Sequence, residues 1–401
     1  MVRPRLLLVT VDRLPAWILP AWGSTWVSAP GFDRLAAEGL VLDRVTATSL
    51  DPGLTLDGIA GGLVADARAA GLAPLLVTDD PTLRPPADGE TVVVPVTVPA
   101  RRARDAGRTV LGRLFAATLS AIGTGHRLVW VHATSLGRVW DAPEDFDAPY
   151  VDEDDPTPPG GVAPPALAVD GDTDPDLVVG WRQRFAGQVS LLDRLVAALV
   201  EGLPDGEEPW GVCLAGIRGL PLGLHGFLGV PPSADGDPPF AESIHLPVIL
   251  VDPWRRMAGQ RYPGLVIPAD VGATIRDLLR LDPAPPASPA PGRSLAGLLA
   301  EWRHAPRDRV VCVGAGGVAV VTRSWRWVSP TVAEGACGTG RLHAEPDDFF
   351  ERCDVADRCA DVAAGLARIG AVARGGAVDR AWTMPLEESE SGAGQGGAPA
   401  G

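Results

Sequence analysis

Of the 50 acidic residues and 6 histidines in this chain of 401 residues, a handful stand where they could hold a metal ion or move a proton. Asp12 stands at the C-terminal end of the apolar run Leu6–Val11 and is followed directly by Arg13. Asp51, Asp57, Asp79, Asp80, His132 and His225 complete the set of hard donors. Ca2+ takes about six to eight oxygen ligands, so several of these carboxylates would have to converge to bind it. Two hydroxyls, Thr48 and Ser49, precede Asp51-Pro52-Gly53 and are the candidate nucleophiles. Neither has a general base nearby in sequence, and hydrogen bonding at a turn or strand end is the ordinary role of both. Arg13 and Arg218 are the candidate anion ligands, because a guanidinium fork matches a bidentate oxyanion. Lysine and asparagine are absent, as codon bias in a GC-rich genome would produce, so no catalytic lysine exists.

Each of these residues also has a plain structural use. Asp12 can cap the loop that follows it, and His132 at a strand end can be a hydrogen-bonded scaffold residue. His225 can simply pack in a turn. Trp17, Trp22 and Trp26 could form an aromatic surface for a partner or a sugar, but core packing is the default reading. The five cysteines, Cys213, Cys312, Cys337, Cys353 and Cys359, are odd in number and irregularly spaced. They predict buried reduced thiols rather than a disulfide framework or a zinc site.

The elements that must position these residues follow from pattern. Leu6–Val11 reads as a buried parallel strand, and in open α/β sheets ligands sit beyond the C-terminal ends of such strands. Pro30–Glu38 is bounded by Pro and Gly39 as a short helix, and Leu40–Val45 is a second strand. Leu75–Thr78 and Thr91–Val98 are further strands, with Pro95 confining the second to an edge. Thr109–Ile122 predicts an amphipathic helix with Leu111, Leu114, Phe115, Leu119 and Ile122 on one stripe. Leu128–Val131, Trp210–Leu214 and Leu246–Val251 read as strands, and Leu177–Leu203 and Val271–Leu281 as helices. Residues 142–176, rich in Pro, Gly, Asp and Glu, predict a long solvated loop. Alternating strands and helices imply an α/β fold with a mostly parallel sheet covered on both faces.

After a Pro/Ala linker, Asp282–Pro291, the pattern changes. Val310–Val313 and Val318–Thr322 flank Gly314–Gly317 as a β-hairpin, and Cys353–Arg374 reads as a helix. The run "VGAGGVAVV" lacks the following helix that a dinucleotide loop needs. The expected organisation is a core of residues 1–290, a small α+β unit of residues 291–385, and a disordered acidic, Gly-rich tail of residues 386–401. The net charge of −15 excludes nucleic acid and anionic membrane surfaces as partners. With no apolar run of spanning length and no leader pattern, the expected location is cytoplasmic.

Six segments, in order, resemble consecutive landmarks of the sulfatase family of the alkaline-phosphatase-like superfamily. "LLLVTVDRL" with "APGFDRLAAEGLVLDRVTATS" is similar to the strand ending in a metal-binding Asp and the helix after it. "VWVHATSLGRVWDAP" resembles the central Asp-Pro-His-Gly loop, and "GWRQRFAGQVSLLDRLVAALVEGL" the long helix. "LGLHG" followed by "HLPVILVDP", then "GRSLAGLL" and "RLHAEPDDFFERCDVADR", resemble the remaining landmarks. The resemblance implies a sulfatase-like α/β core with a mostly parallel sheet and a small C-terminal α+β subdomain.

It also implies where the chemistry should be. Asp12 matches a metal ligand, but the adjacent family Asp is Arg13. The Asp-His pair counted back from Leu222–Gly226 falls on Ile217 and Arg218. The Cys-x-Pro-x-Arg pattern, anchored on Pro52, places the nucleophile on Leu50 and its arginine on Leu54. Central-loop ligands fall on Ser135 and Gly137, and Asp79 and Asp80 stand near the place of the family lysine. The resulting expectation is a sulfatase-fold protein that has lost ester hydrolysis and acts by binding or scaffolding. The alternatives are a diverged metal-dependent sulfuric or phosphoric ester hydrolase with a rebuilt site, and an anion-binding protein using the old pocket. No cofactor is expected, and Ca2+ or Mg2+ only with a rebuilt site. The partner is an unidentified protein or an anionic small molecule.

Overall fold

A computed structural model describes residues 4–83, 90–123, 125–206, 208–231, 237–282, 291–299, 307–331 and 340–386. The strands are β1 (Arg5–Asp12), β2 (Leu40–Thr46), β3 (Pro74–Thr78), β4 (Glu90–Val93), β5 (Leu128–Ala133), β6 (Ala166–Ala168) and β7 (Trp210–Arg218). They continue with β8 (Phe227–Gly229), β9 (His245–Val251), β10 (Gln260–Val266), β11 (Arg309–Gly314), β12 (Gly317–Thr322), β13 (Trp325–Pro330) and β14 (Arg341–Ala344). The helices are α1 (Pro30–Glu38), α2 (Pro52–Ala60), α3 (Leu63–Ala69), α4 (Val110–Ala121) and α5 (Glu144–Asp147). After them come α6 (Pro175–Glu201), α7 (Ala241–Ile244), α8 (Pro268–Leu279), α9 (Ala360–Arg374) and α10 (Val378–Thr383).

Eight strands form one sheet in the order β10-β2-β9-β7-β1-β5-β3-β4. All run parallel except β9, which is antiparallel to both β2 and β7. The ends of β1, β3, β5 and β7 therefore open on the same edge, the place where ligands bind in such sheets. Along β1, Leu7, Val9 and Val11 enter one core cluster and Leu6 and Leu8 the other, so both faces are buried. Phe32 of α1, Leu114 of α4 and Leu192 of α6 cover the first face. Ile59 of α2, Leu63 of α3 and Ile275 of α8 cover the second. This accounts for strands that are apolar at every position instead of at alternate ones.

The C-terminal strands form a four-stranded antiparallel sheet, β11-β12-β13-β14. Val311, Val320 and Trp327 pack against Leu366 and Ile369 of α9. Its opposite face contributes Cys312, Ala319 and Val328 to the second core cluster of the large sheet. The hairpin turn also reaches the large sheet's open edge, because Val313 donates to the Thr48 carbonyl at 3.2 Å and accepts from Leu50 at 3.4 Å.

Several expectations need correction. The helix expected over Cys353–Arg374 begins only at Ala360. In α4, Leu111, Leu114 and Phe115 are buried, but Leu119 is 37% exposed because it lies past the width of the stripe that the sheet covers. The segment 142–176 is more than a solvated loop. It carries α5 and β6, and its Asp147 is buried against Arg184 at 3.1 Å and Arg102 at 2.7 Å. Of the cysteines, Cys213 and Cys312 are buried, Cys353 is exposed and Cys359 is half-buried. Cys337, residues 283–290 of the linker and the tail from Glu387 lie outside the described residues. Trp22 is buried, Trp17 half-buried, and Trp26 is 39% exposed beside Tyr150. Among the described residues, no helix is long and apolar enough to cross a membrane.

Candidate functional site

The pairing of β1 with β7 slips by one residue at its end. Val11 faces Gly216, but Asp12 faces Arg218, so Ile217 is left over. Such a bulge bends a strand and re-aims the side chain after it. Here it brings the Arg218 guanidinium alongside the Asp12 carboxylate. Nε of Arg218 donates to Oδ1 at 3.1 Å and Nη2 to Oδ2 at 2.8 Å, a fork-on-fork pair that uses both carboxylate oxygens.

The same guanidinium donates through Nη1 to Asp237 Oδ2 at 3.2 Å. Asp237 Oδ1 accepts from Arg13 Nη1 at 2.7 Å. Two acids and two bases thus alternate in a linear chain, Asp12–Arg218–Asp237–Arg13, with no net charge. Arg13 is buried and adopts φ 66°, a left-handed conformation that a residue with a Cβ rarely takes. Its bonds to Asp237 and to the Gly219 carbonyl over-determine that strained position. Gly137 completes the fit, because a Cβ there would lie 3.1 Å from Arg13 Cγ. Burial alone would raise the Asp12 carboxyl, but Arg218 outweighs it and holds the group below the ordinary carboxylate range.

A cleft of about 270 Å³ opens beside this quartet. Asp12, Arg13, Ile217 and Arg218 line it from the ends of β1 and β7, His132 from the end of β5, and Thr134 and Arg138 from beyond it. Asp80 follows β3, and Pro52, Gly53 and Leu56 belong to the first turns of α2. His132 is 3% exposed, and burial pushes its imidazole below the ordinary histidine range. Thr10 Oγ1 lies 2.9 Å from His132 Nδ1, accepts from Trp130 Nε1 at 2.8 Å and donates to the Val131 carbonyl at 3.2 Å.

Among solved structures, the phosphonate monoester hydrolase of Agrobacterium radiobacter superposes with a TM-score of 0.69 at 17% identity, covering 91% of this chain and 94% of its own. That of Silicibacter pomeroyi gives 0.68 at 16% identity, covering 95% and 97%. A 2-O GAG sulfatase gives 0.67 at 14% identity, covering 95% and 93%. The chain has the alkaline-phosphatase-like fold of the sulfatases. No family model matches it, and no curated protein does.

Within the sulfatase fold, the residues singled out from sequence reach the expected edge but are occupied there. Asp12, the one matched metal ligand, is paired through both oxygens with Arg218, and a second cation, Arg13, is buried beside it. Arg13 and Arg218 do converge, but on Asp237 rather than on an open anion site. Leu50, at the position matched to the nucleophile, is 4% exposed and packs beneath the hairpin turn, where a Cβ on Gly314 would lie 2.6 Å from its own. Ser49 Oγ accepts from the Asp51 backbone at 3.1 Å, the turn role expected for it, and the Thr48 carbonyl pairs with Val313. Asp51 caps α2 through Gly53 at 2.8 Å. Asp79 is fully buried and accepts from Thr134 N, Thr134 Oγ1 and Ser135 N at 2.7, 2.9 and 3.0 Å. His225 packs against Phe240 and Glu242, away from the cleft.

The donors present do not fit a hard divalent ion. Among the described residues, no three His, Cys, Asp or Glu side chains are grouped to hold a metal. Ca2+ would have to displace a bidentate guanidinium and sit beside a second one. Sequence reasoning missed Asp237, which ties both arginines together, because its Pro-Pro-Ser-Ala-Asp-Gly-Asp-Pro-Pro surroundings read only as turn composition. It also missed Arg138, which carries no pattern at all.

Proposed function

We propose that this sulfatase-fold protein works by binding a ligand at the strand-end cleft and does not hydrolyse sulfuric or phosphoric esters. One observation carries the reading: the guanidinium of Arg218 holds both oxygens of Asp12, the residue matched to a metal ligand. Ester hydrolysis on this fold needs a cation to neutralise charge that develops on the ester, together with a nucleophile beside it. The quartet is electrically neutral, and the position matched to the nucleophile is a buried leucine. The cleft itself remains open to a small molecule, and Asp80 and Arg138 still face it. The rebuilt hydrolase would draw its ligands from Asp12, Asp51, Asp57, Asp79, Asp80, His132 and His225. Asp12, Asp80 and His132 do line the cleft, but Asp12 is held by Arg218, and among the described residues no three such side chains are grouped to hold a metal.

Turnover tests this directly. Aryl sulfate, aryl phosphate and phosphonate monoesters are offered to the purified protein with Ca2+, Mg2+, Mn2+ or Zn2+. The expected rate equals that of the uncatalysed reaction. A metal-dependent rate that disappears in Asp12→Ala overturns the proposal.

A further inference from the structure

The charges of the cleft divide into two sets. Asp12, Arg13 and Arg218, with Asp237 behind them, are satisfied by one another. Asp80 and Arg138 are not. Asp80 Oδ1 accepts only from the backbone and hydroxyl of Thr82, at 2.9 and 2.7 Å, so its negative charge has no cationic partner among the described residues. Arg138 is exposed, and its guanidinium has no carboxylate partner among the described residues. Asp80, Arg138 and His132 all line the cleft, so a ligand there meets both charges.

Opposite unpaired charges lining one cleft define the ligand by complementarity. We infer that the cleft takes a small zwitterion of free amino-acid size, its cationic group toward Asp80 and its anionic group toward Arg138. The stem rests on the apolar side chains of Leu56 and Ile217, with the His132 ring lining the same space. The volume of about 270 Å³ lies below the ~300–1,000 Å³ of sites for drug-sized molecules, so the ligand is a small metabolite. A simple dianion fits poorly, because Asp80 faces the same space and the chain carries a net charge of −15. This inference rests on the binding reading above and names the ligand class of that site.

Titration calorimetry on the full chain tests it. The probes are the free proteinogenic amino acids and taurine, with sodium sulfate, phosphate and methylphosphonate as anion controls and ethanolamine as the cation control. The expected result is saturable binding of at least one zwitterion, weakened about tenfold or more in both Arg138→Ala and Asp80→Asn. Neither side chain is buried, so both variants should keep the wild-type melting temperature, and a lost signal then reports the site itself. No saturable binding by any zwitterion overturns the inference, as does binding that survives both substitutions or saturation by sulfate or phosphate alone. The binding reading fails separately, by turnover of an ester.

Discussion

Arg218→Ala is expected to lower the unfolding free energy by about 3 kcal/mol, the lower end of the range for breaking a buried ion pair. Removing the guanidinium strips both oxygens of Asp12 and one oxygen of Asp237 of their donors at once. Asp237 keeps Arg13, but Asp12 keeps no cation in contact. The side chains of Arg218 and Asp12 each retain 13% exposure, so water partly compensates and the upper end of the range is out of reach. The Asp12 carboxyl, now governed by burial, should titrate above its ordinary range. Arg218→Lys should recover only part of the loss, because an ammonium cannot form the two-pronged contact. Urea unfolding of the wild type and both variants measures this. A loss under about 1 kcal/mol, typical of surface pairs, would contradict the account of the quartet.

Arg326→Ala is expected to cost more, about 3–5 kcal/mol. Arg326 lies on β13, is 4% exposed, and donates through Nε to Glu345 at 2.7 Å. Its Nη1 is 3.7 Å from Glu351, and Arg44 of β2 reaches the same Glu345 at 3.5 Å. Burial alone would raise the Glu345 carboxyl, and Arg326 and Arg44 together hold it low. Without Arg326, the ion-pair partners that remain at the seam between the two sheets are Arg44 for buried Glu345 and the His225 ring, 3.6 Å away, for buried Glu351. Melting temperature gives the size of the effect. Limited proteolysis should show the segment from β11 onward cut first. An unchanged melting temperature would mean that the seam is held by the apolar contacts of Cys312, Ala319 and Val328 alone.

The parts of the fold that could be read from sequence are those where local pattern and tertiary role agree. β1, β3 and α1 were legible because they are unbroken apolar runs or are bounded by Pro and Gly. α2 was not, because Gly53 and Gly58 sit inside it; it forms because Asp51 caps it and α8 packs against it. β10 contains Pro263 and Gly264, and its register with β2 shifts at that point, so its strand signal was lost. The reversed direction of β9 has no local signature, since a fully buried strand reads the same either way. At the site, sequence placed Asp12, Arg13 and Arg218 at the open edge of the sheet but could not say what they hold. That depends on Asp237, almost 20 residues beyond Arg218 in a Pro-rich segment, and on a one-residue bulge in β7. Contacts of this kind are set by three-dimensional packing and leave no periodic trace.

The most direct measurement is the metal content of the protein after equilibration with Ca2+, Mg2+, Mn2+ and Zn2+ and removal of free ions, with Asp12→Ala treated identically. With Asp12 held by Arg218, both proteins should carry the same trace amounts, far below one equivalent. About one equivalent of a divalent metal in the wild type, lost in Asp12→Ala, would contradict the claim that a guanidinium has taken the metal's place.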